Sequence, residues 1–292
     1  MSLSLQAVME TCQSRLEKMF HLYLRKTPTA SAELQKAIEY GVMNGGKRLR
    51  PLLVYLVGHT FAASFENMDA AATTIEMIHS YSLIHDDLPA MDNADLRRGK
   101  ASCHKAFNEA LAILAGDSLQ PLAFEILAVH PSTLSAEQRL AMIQVLANAS
   151  GMEGMAAGQA LDMGTAKTLD DLIKMYRLKT GALLIAAVQL GMLAANQIEH
   201  LASLEKFAAA VGLAFQLQDD LLDIEKTAQQ IGKTVGVDAA NCKKTYVSFV
   251  GVEKTREKIS LLFAEARQAL ECLGEKKKLL DEFLEMVFQR DS

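Results

Sequence analysis

The 292-residue chain contains no tryptophan, and its five prolines all lie at or before Pro131. The absence of proline from the rest of the chain leaves helices there without their strongest breaker. Alternation typical of strands is also scarce, whereas apolar residues recur at helical spacing. The sequence therefore predicts an all-α fold, and the lack of a linker or low-complexity tract favours a single domain over residues 1–292.

Cysteine is sparse too, and the net charge is a modest −5. The cysteines show no CxxC or Cys/His spacing, which argues against structural zinc. The charge argues against a general nucleic-acid binder. The N-terminus lacks the basic start and compact apolar core of a signal peptide. The longest nearly uncharged run, residues 181–197, is short for a membrane span. We therefore expect a cytoplasmic protein that does not cross a membrane.

Apolar periodicity predicts helices over residues 4–25, 31–44, 49–63, 66–87, 105–114, 117–129, 135–161, 169–195 and 199–225, with two or three more in 243–291. Two loops interrupt them. Residues 88–104 contain Pro89, Gly99 and many charges, and residues 226–242 contain two glycines. Each loop follows an acidic cluster, and we predict that both are functional.

The first acidic cluster contains Asp86, Asp87 and Asp92, and it ends an apolar helix. On an unbroken helix Asp86 and Asp92 would lie about 240° apart. Pro89 should end the helix, and the chain can then fold Asp92 back toward Asp86. The second cluster contains Asp219, Asp220 and Asp223. Its first and last members lie about 40° apart on one helical face, whereas Asp220 is rotated away and is expected to act through water or through the ligands.

Carboxylates crowded together in apolar surroundings repel one another unless a cation compensates them. Mg²⁺ is the natural cation, because it prefers oxygen ligands and is usually held by one or two carboxylates together with phosphates and water. A solvated acidic helix end remains the alternative for either cluster alone.

Basic and polar residues near the clusters are candidates for diphosphate binding. The segment Gly45–Pro51 places Lys47 and Arg50 at a helix start, where an anion would be stabilised. Arg97 and Arg98 follow the first cluster and, being adjacent, point toward different anions. Surface exposure is the alternative for each pair. His79 shares a helical face with Asp86, and Lys179, Thr180 and Gln216 could aim polar groups at a developing positive charge. These four could equally be satisfied core residues.

Together these residues resemble the trans-isoprenyl diphosphate synthases, and most of all the bacterial farnesyl diphosphate synthases. The similarity runs from GGKRLRP through the two aspartate motifs and YRLKTGALL to GKTVGVD and the tail. It implies long helices around a deep central cavity, a single polyprenyl synthase domain and a homodimer. It also implies condensation of isopentenyl diphosphate with an allylic diphosphate in three steps: ionisation, attack by the double bond and proton loss, with water excluded.

The resemblance also implies residue roles. Three Mg²⁺ ions would be held by the two aspartate motifs, that is, by Asp86, Asp87, Asp92, Asp219, Asp220 and Asp223. Isopentenyl diphosphate would be bound by Lys47, Arg50, His79 and Arg98. The allylic diphosphate would be bound by Arg97, Lys179, Lys233 and, as an addition, Lys243. The allylic cation would be stabilised by oxygens of Thr180 and Gln216. Product length would depend on Ile78, Tyr81 and Ser82, with Tyr81 closing the pocket at C15; geranylgeranyl (C20) and geranyl (C10) diphosphate are the alternative products.

Three other classes of protein share parts of this pattern. The His85-Asp86 dipeptide occurs in helical metal-dependent phosphohydrolases, which need further histidines; only His59 and His79 lie nearby upstream. Such an enzyme would leave the second aspartate cluster unexplained. A non-catalytic prenyltransferase subunit would typically lack one cluster, and a terpene cyclase would not need the second diphosphate site.

Overall fold

The computed structural model describes residues 4–25, 30–164, 167–231 and 244–289, with the backbone alone described at 223 and 225–231. Almost all of these residues are helical, which confirms the all-α prediction. The α-helices are α1 (Leu5–Arg25), α2 (Ala32–Val42), α3 (Leu49–Thr60), α4 (Phe65–Asp86), α5 (Cys103–Ala106), α6 (Glu109–Val129), α7 (Ala136–Ser150), α8 (Met155–Met163), α9 (Leu169–Tyr176), α10 (Ala182–Ala194), α11 (Leu201–Ile231), α12 (Tyr246–Val250), α13 (Val252–Leu270) and α14 (Lys278–Phe288).

Three shorter elements complete the fold. A π-helix, Arg177–Gly181, joins α9 to α10, and a 3-10 helix, Glu271–Lys277, joins α13 to α14. Within the predicted loop 88–104, β1 (Leu96–Arg97) and β2 (Lys100–Ala101) pair in an antiparallel hairpin.

The chain divides into two compact units, Met1–Ala147 with Ala186–Glu199, and Asn148–Ile185 with His200–Ser292. The interpretation of residues 1–292 as one polyprenyl synthase domain stays a prediction.

Helix α4 is the central element of the first unit. It contacts α1, α2, α3 and α6 and buries residues on all its sides, as expected for a helix in the interior of a unit. Its start is fixed by Ser64, whose side-chain oxygen accepts a hydrogen bond from Asn67 N at 3.3 Å. Farther along, the buried Asp69 accepts hydrogen bonds from Arg15 and Tyr55. These contacts fix the first turns of α4, and the first acidic cluster begins at the other end of the same helix.

Helix α11 has the same position in the second unit. It contacts α9, α12, α13, α14 and the π-helix, and it buries Leu204, Phe207 and Leu217 completely. Helix α9 begins with a capping box in which Thr168 and Asp171 each bind the other's backbone amide. Reciprocal caps of this kind satisfy amide groups that a helix start leaves unpaired.

Several predicted helix boundaries are wrong. The predicted helices 105–114 and 117–129 are one helix, α6, which begins at the side chain of Asn108. Gly116 does not end it; a Cβ there would lie 2.1 Å from His85 Nε2, so this glycine provides room for an imidazole. The predicted helix 135–161 breaks instead near Gly154, where a Cβ would lie 2.2 Å from Ala149 O.

Two further predictions concern the second unit. The helix predicted over 169–195 contains the π-helix, a distortion that inserts one residue and is frequent at functional sites. The loop predicted over 226–242 begins too early, because α11 continues to Ile231. Its remaining residues, 232–242, lie outside the described residues.

Two helical stretches, Glu109–Val129 and Leu169–Ala194, are long and apolar enough to cross a membrane by composition alone. The second stretch includes most of the nearly uncharged run 181–197. In the second stretch 61% of the apolar window is buried in the protein, as in a core helix. In the first only 39% is buried, so much of the apolar surface of α6 faces outward within the described part of the chain.

Candidate active site

The first acidic cluster forms where α4 ends. The helix stops at Asp86, and Pro89 follows in an irregular turn. Within that turn the backbone N–H of Asp92 donates to the backbone oxygen of Asp86 at 2.9 Å. The predicted break and the return of Asp92 toward Asp86 are thus confirmed. Asp86 is half-buried and Asp92 is exposed, so these two carboxylates suit Mg²⁺, a hard cation that favours oxygen ligands and retains water.

Asp87 has different surroundings from its neighbours. Its side chain is buried, with the residue 2% exposed, and it forms an ion pair with Arg97 of β1. The Arg97 Nε atom donates to Oδ1 at 3.0 Å and to Oδ2 at 3.2 Å, and Nη2 also bonds Oδ1. This hydrogen bonding raises the pKa of Arg97 further. The side chains that the sequence assigned to metal and to diphosphate therefore bind each other.

A basic cluster lies beside this motif in the first unit. It contains Arg50 at the start of α3, His79 on α4 and Arg98 in the hairpin. Arg98 donates to the backbone oxygen of Gly45. A Cβ on Gly46 would lie 2.3 Å from the Arg98 guanidinium carbon, so the glycine lets the guanidinium lie against the backbone. Gly45 and Gly46 of the GGKRLRP segment thus bind Arg98, which lies more than fifty residues farther along the chain. The sequence alone did not reveal this role.

The electrostatics of the basic cluster favour an anion. Burial, together with the neighbouring arginines, holds the pKa of His79 well below its ordinary value of 6.5. Burial likewise lowers the pKa of Arg50. In the described part of the chain, Arg50 Nε is buried without a hydrogen-bond partner. Buried donors and concentrated positive charge are both stabilised by a bound anion. Lys47, predicted to join this cluster, is exposed on the preceding turn.

The second acidic cluster lies on α11. Asp220 accepts two hydrogen bonds, one from the Tyr176 hydroxyl and one from the Tyr246 backbone N–H, both at 2.7 Å. It thereby ties α9 and α12 to α11. Burial, and then the Asp220 charge, raise the pKa of Tyr176. The rotation of Asp220 away from Asp219 directs it to these two tyrosines. The side chain of Asp223 is not among those described.

The π-helix connects with the second cluster through a chain of hydrogen bonds. The hydroxyl of Thr180 donates to Gln216 Oε1 at 2.8 Å, and Gln216 Nε2 donates to Asp219 Oδ2 at 3.3 Å. The three residues, chosen separately from the sequence, therefore form one polar line along the buried side of the π-helix. Gly212 allows α11 to approach the π-helix there, since a Cβ on Gly212 would lie 3.2 Å from the Cα atom of Gly181.

Lys179 has a neighbour that the sequence did not reveal. Its Nζ lies 2.8 Å from Oδ2 of Asp162, a side chain that is 11% exposed. Helix α8 can bring Asp162 so close because it carries Gly158, where a Cβ would lie 2.1 Å from Lys179 N. The ammonium group is thus held by the second unit itself. Lys233 and Lys243, predicted to bind diphosphate, lie outside the described residues.

The residues assigned to product length lie on the last two turns of α4. Ile78 is fully buried, and Tyr81 and Ser82 are each 8% exposed. The Tyr81 ring meets the His85 ring edge-on, with centroids 5.8 Å apart. His85 Nε2 lies 3.0 Å from Ile113 O of α6. The imidazole is therefore directed at a helix backbone, which does not favour the phosphohydrolase interpretation.

Among the described residues no group of three or more His, Cys, Asp or Glu side chains is placed to hold a metal ion.

Known proteins are similar to this chain over most of its length. The family model described as polyprenyl synthetase matches residues 31–283. The farnesyl diphosphate synthase of Escherichia coli is 44% identical, over 97% of this chain and 98% of its own length. Geranylgeranyl pyrophosphate synthase 3 of Arabidopsis thaliana is 40% identical, over 86% of this chain and 76% of its own length. The solved structure of an FPP/GFPP synthase from Zymomonas mobilis is 37% identical, with a TM-score of 0.87 over 97% of this chain and 98% of that one.

Proposed function

The chain belongs to the polyprenyl synthetase family, and from this membership we propose that it is a short-chain prenyltransferase that makes farnesyl diphosphate. It condenses isopentenyl diphosphate with dimethylallyl or geranyl diphosphate, the reaction of a (2E,6E)-farnesyl diphosphate synthase, or geranyltranstransferase. The observation that carries the proposal is the 44% identity with such an enzyme over nearly the whole of both chains.

The C15 product is favoured by the aromatic residue at the end of α4. Tyr81 is buried five residues before Asp86, where its ring would block a chain growing along the helix. Geranylgeranyl diphosphate, the C20 product, is the alternative, because a plant C20 synthase is nearly as similar to this chain.

The aspartate motifs are the proposed magnesium ligands, with three ions in all. Asp86 and Asp92, joined through their backbones, fit this role best. Asp219 is the corresponding ligand of the second motif, with Asp223 one turn farther along α11. Asp87 and Asp220 support the motifs through Arg97 and the two tyrosines. When bound, magnesium neutralises charge on the leaving diphosphate.

Isopentenyl diphosphate binds the basic cluster. Arg50 and His79 provide partly buried donors, and Arg98 and Lys47 add exposed cations. Neutral His79, with its lowered pKa, donates a single N–H and leaves the charge to the arginines. A site of this kind holds a diphosphate without a metal ion.

The allylic diphosphate binds Arg97 and Lys179, together with Lys233 and Lys243 of the segment that is not described. As its carbon–oxygen bond breaks, these cations stabilise the diphosphate and an allylic carbocation forms. The hydroxyl and amide oxygens of Thr180 and Gln216 orient their negative ends toward that carbocation. The isopentenyl double bond attacks it, and the proton then lost passes to the departing diphosphate. Apolar walls exclude water, which would otherwise convert the cation to an alcohol.

The enzyme acts in the cytosol as a homodimer. Support for the dimer comes from α6, whose Ile113, Leu114 and Val129 are 43%, 49% and 61% exposed. Ile113 and Leu114 are adjacent in a helix of which only 39% of the apolar window is buried, and exposed apolar surface that is contiguous marks interaction sites. Light scattering during size-exclusion chromatography should give twice the chain mass, and Leu114→Glu should return the mass of a single chain.

The proposed reaction is tested by incubating the purified chain with labelled isopentenyl diphosphate, geranyl diphosphate and Mg²⁺, followed by chain-length analysis. We expect a C15 product and one released diphosphate per condensation. A predominant C20 product would favour the alternative activity. Release of inorganic phosphate from nucleotides without condensation would contradict the proposal.

A further inference from the structure

One buried carboxylate lies inside the basic cluster and has no role in the reaction described above. Glu76 is on α4, one turn before His79, and only 1% of its surface is exposed. A carboxylate is almost never buried so completely unless it is paired. Its partner is Arg48, whose Nη1 bonds Glu76 Oε1 and whose Nη2 donates to Val42 O at 2.6 Å.

Arg48 occupies an unusual position in the backbone. It is the residue before α3 and has a left-handed conformation, with φ 48° and ψ 38°. Such a conformation is uncommon for a side chain larger than glycine and persists where surrounding contacts hold it. The two bonds to Glu76 and Val42 are those contacts. They fix the turn that separates Lys47 from Arg50.

Glu76 also compensates the neighbouring charges. Its negative charge stabilises the protonated forms of Arg50 and Arg98, which burial otherwise disfavours. In the part of the chain that the structure describes, its Oε2 atom is buried without a hydrogen-bond partner. One carboxylate oxygen of Glu76 thus binds Arg48, and the charge of the carboxylate acts on Arg50 and Arg98 nearby. Without this charge the guanidinium groups would repel one another before any anion arrives.

We propose that Glu76 is a positioning residue for the isopentenyl diphosphate site, acting through Arg48 and through its charge on Arg50 and Arg98. It touches no substrate. It holds the turn and the guanidinium groups in the arrangement that a diphosphate needs, so that the anion binds a site already in place. The identity of the ligand rests on the proposed function. The arrangement of charges is observed independently of that function.

The test compares Glu76→Gln with Asp69→Asn. Both substitutions keep the side-chain shape and remove the charge of a buried carboxylate on α4 that is paired with an arginine, but Asp69 binds Arg15 and Tyr55 outside the cluster. We expect Glu76→Gln to raise the KM for isopentenyl diphosphate about tenfold, equal to roughly 1.4 kcal/mol of binding. The KM for geranyl diphosphate should change less than about twofold. Asp69→Asn should lower the melting temperature and leave both KM values as in the wild type.

Calorimetric titration of inorganic diphosphate without magnesium gives a second readout. Glu76→Gln should weaken this binding by a similar factor. If the wild type binds diphosphate and Glu76→Gln weakens it, but no condensation occurs, the proposed function fails and the positioning role stands. Equal KM shifts in Glu76→Gln and Asp69→Asn, or an unchanged KM in Glu76→Gln, would overturn the positioning role.

Arg48→Lys keeps the test valid if Glu76→Gln does not fold. Lysine retains the charge beside Glu76 but cannot bond Glu76 and Val42 O together as the guanidinium fork does. We expect the KM for isopentenyl diphosphate to rise about threefold, with kcat changed less than the KM. An unchanged KM in this variant would overturn the inference.

Discussion

Arg97, which is partly exposed, forms an ion pair with the buried Asp87 at the edge of the first aspartate motif, with Arg97 Nε 3.0 Å and 3.2 Å from the two carboxylate oxygens. An acidic triplet read from sequence suggests three equivalent metal ligands. The structure instead shows Asp87 paired with Arg97, and we therefore propose Asp86 and Asp92 as the metal ligands of this motif.

Asp87→Asn should therefore lower kcat/KM for the allylic substrate without changing the concentration of magnesium that the enzyme requires. Removing one partner of a buried pair costs about 2 kcal/mol or more, so kcat/KM for geranyl diphosphate should fall about 30-fold or more. The Mg²⁺ concentration for half-maximal rate should stay within about twofold of the wild type. If Asp87→Asn raised that concentration as much as Asp86→Asn does, Asp87 would be a direct ligand.

Product length should depend on the ring of Tyr81. Tyr81→Ala removes the buried ring that packs on His85, and we expect the principal product to lengthen from C15 to C20 when isopentenyl diphosphate is in excess. Tyr23→Ala on α1, a deletion of the same size beside His130, is the control and should still give C15. An unchanged C15 product from Tyr81→Ala would refute its role as the floor of the pocket.

Folding stability should depend on pH through His79. Its pKa in the folded chain lies well below the ordinary value of 6.5, because burial and nearby arginines disfavour the charged form. The unfolded chain therefore binds the proton first, and the stabilisation present above pH 6.5 is lost as the pH falls below it.

The measurement is the melting temperature between about pH 7 and 5. Over this range the melting temperature of His79→Gln should fall by roughly 2–4 °C less than that of the wild type. His59→Gln changes an exposed histidine and should follow the wild-type curve. Parallel curves for the wild type and His79→Gln would show that His79 is not held neutral.

The hydroxyl of Thr180 should matter to the rate more than to binding. Thr180→Val keeps the shape but leaves Gln216 Oε1 without its donor at 2.8 Å, an effect on the order of 1–3 kcal/mol. We expect kcat to fall about tenfold and both KM values to change less than about threefold. Thr255→Val removes another buried hydroxyl, the one that donates to Gly251 O; it should lower the melting temperature and keep kcat. A Thr180→Val enzyme with wild-type kcat would contradict the assigned role.

Local sequence rules predicted the fold class and the break at Pro89 well, because helical periodicity and the missing proline amide act over a few residues. They failed where residues far apart in the sequence determine where a helix ends. Gly116, Gly158 and Gly212 look alike in the sequence, yet each accommodates a different neighbour. Only the packed structure reveals which glycine ends a helix and which admits another helix or ring.

The same limit applies to the candidate site. The residue types of Asp87, Arg97, Asp220 and Lys179 were apparent from the motifs, but their partners were not. The partners lie as far as 44 residues away, as with Tyr176 and Asp220. The pairing of Arg48 with Glu76 could not be predicted, because a single carboxylate in an apolar helix does not indicate which residue of another segment binds it.

The central claim is that carboxylates of the first aspartate motif bind the magnesium that expels diphosphate. The most direct measurement is the rate of labelled C15 formation against Mg²⁺ concentration for the wild type, Asp86→Asn and Asp95→Asn. Asp95 lies in the loop that follows Asp86, where it is exposed and paired with Lys105 at 2.9 Å. We predict no product in chelator, a loss of about a hundredfold or more in Asp86→Asn, and wild-type behaviour in Asp95→Asn. Condensation at the wild-type rate in chelator or in Asp86→Asn would contradict the claim.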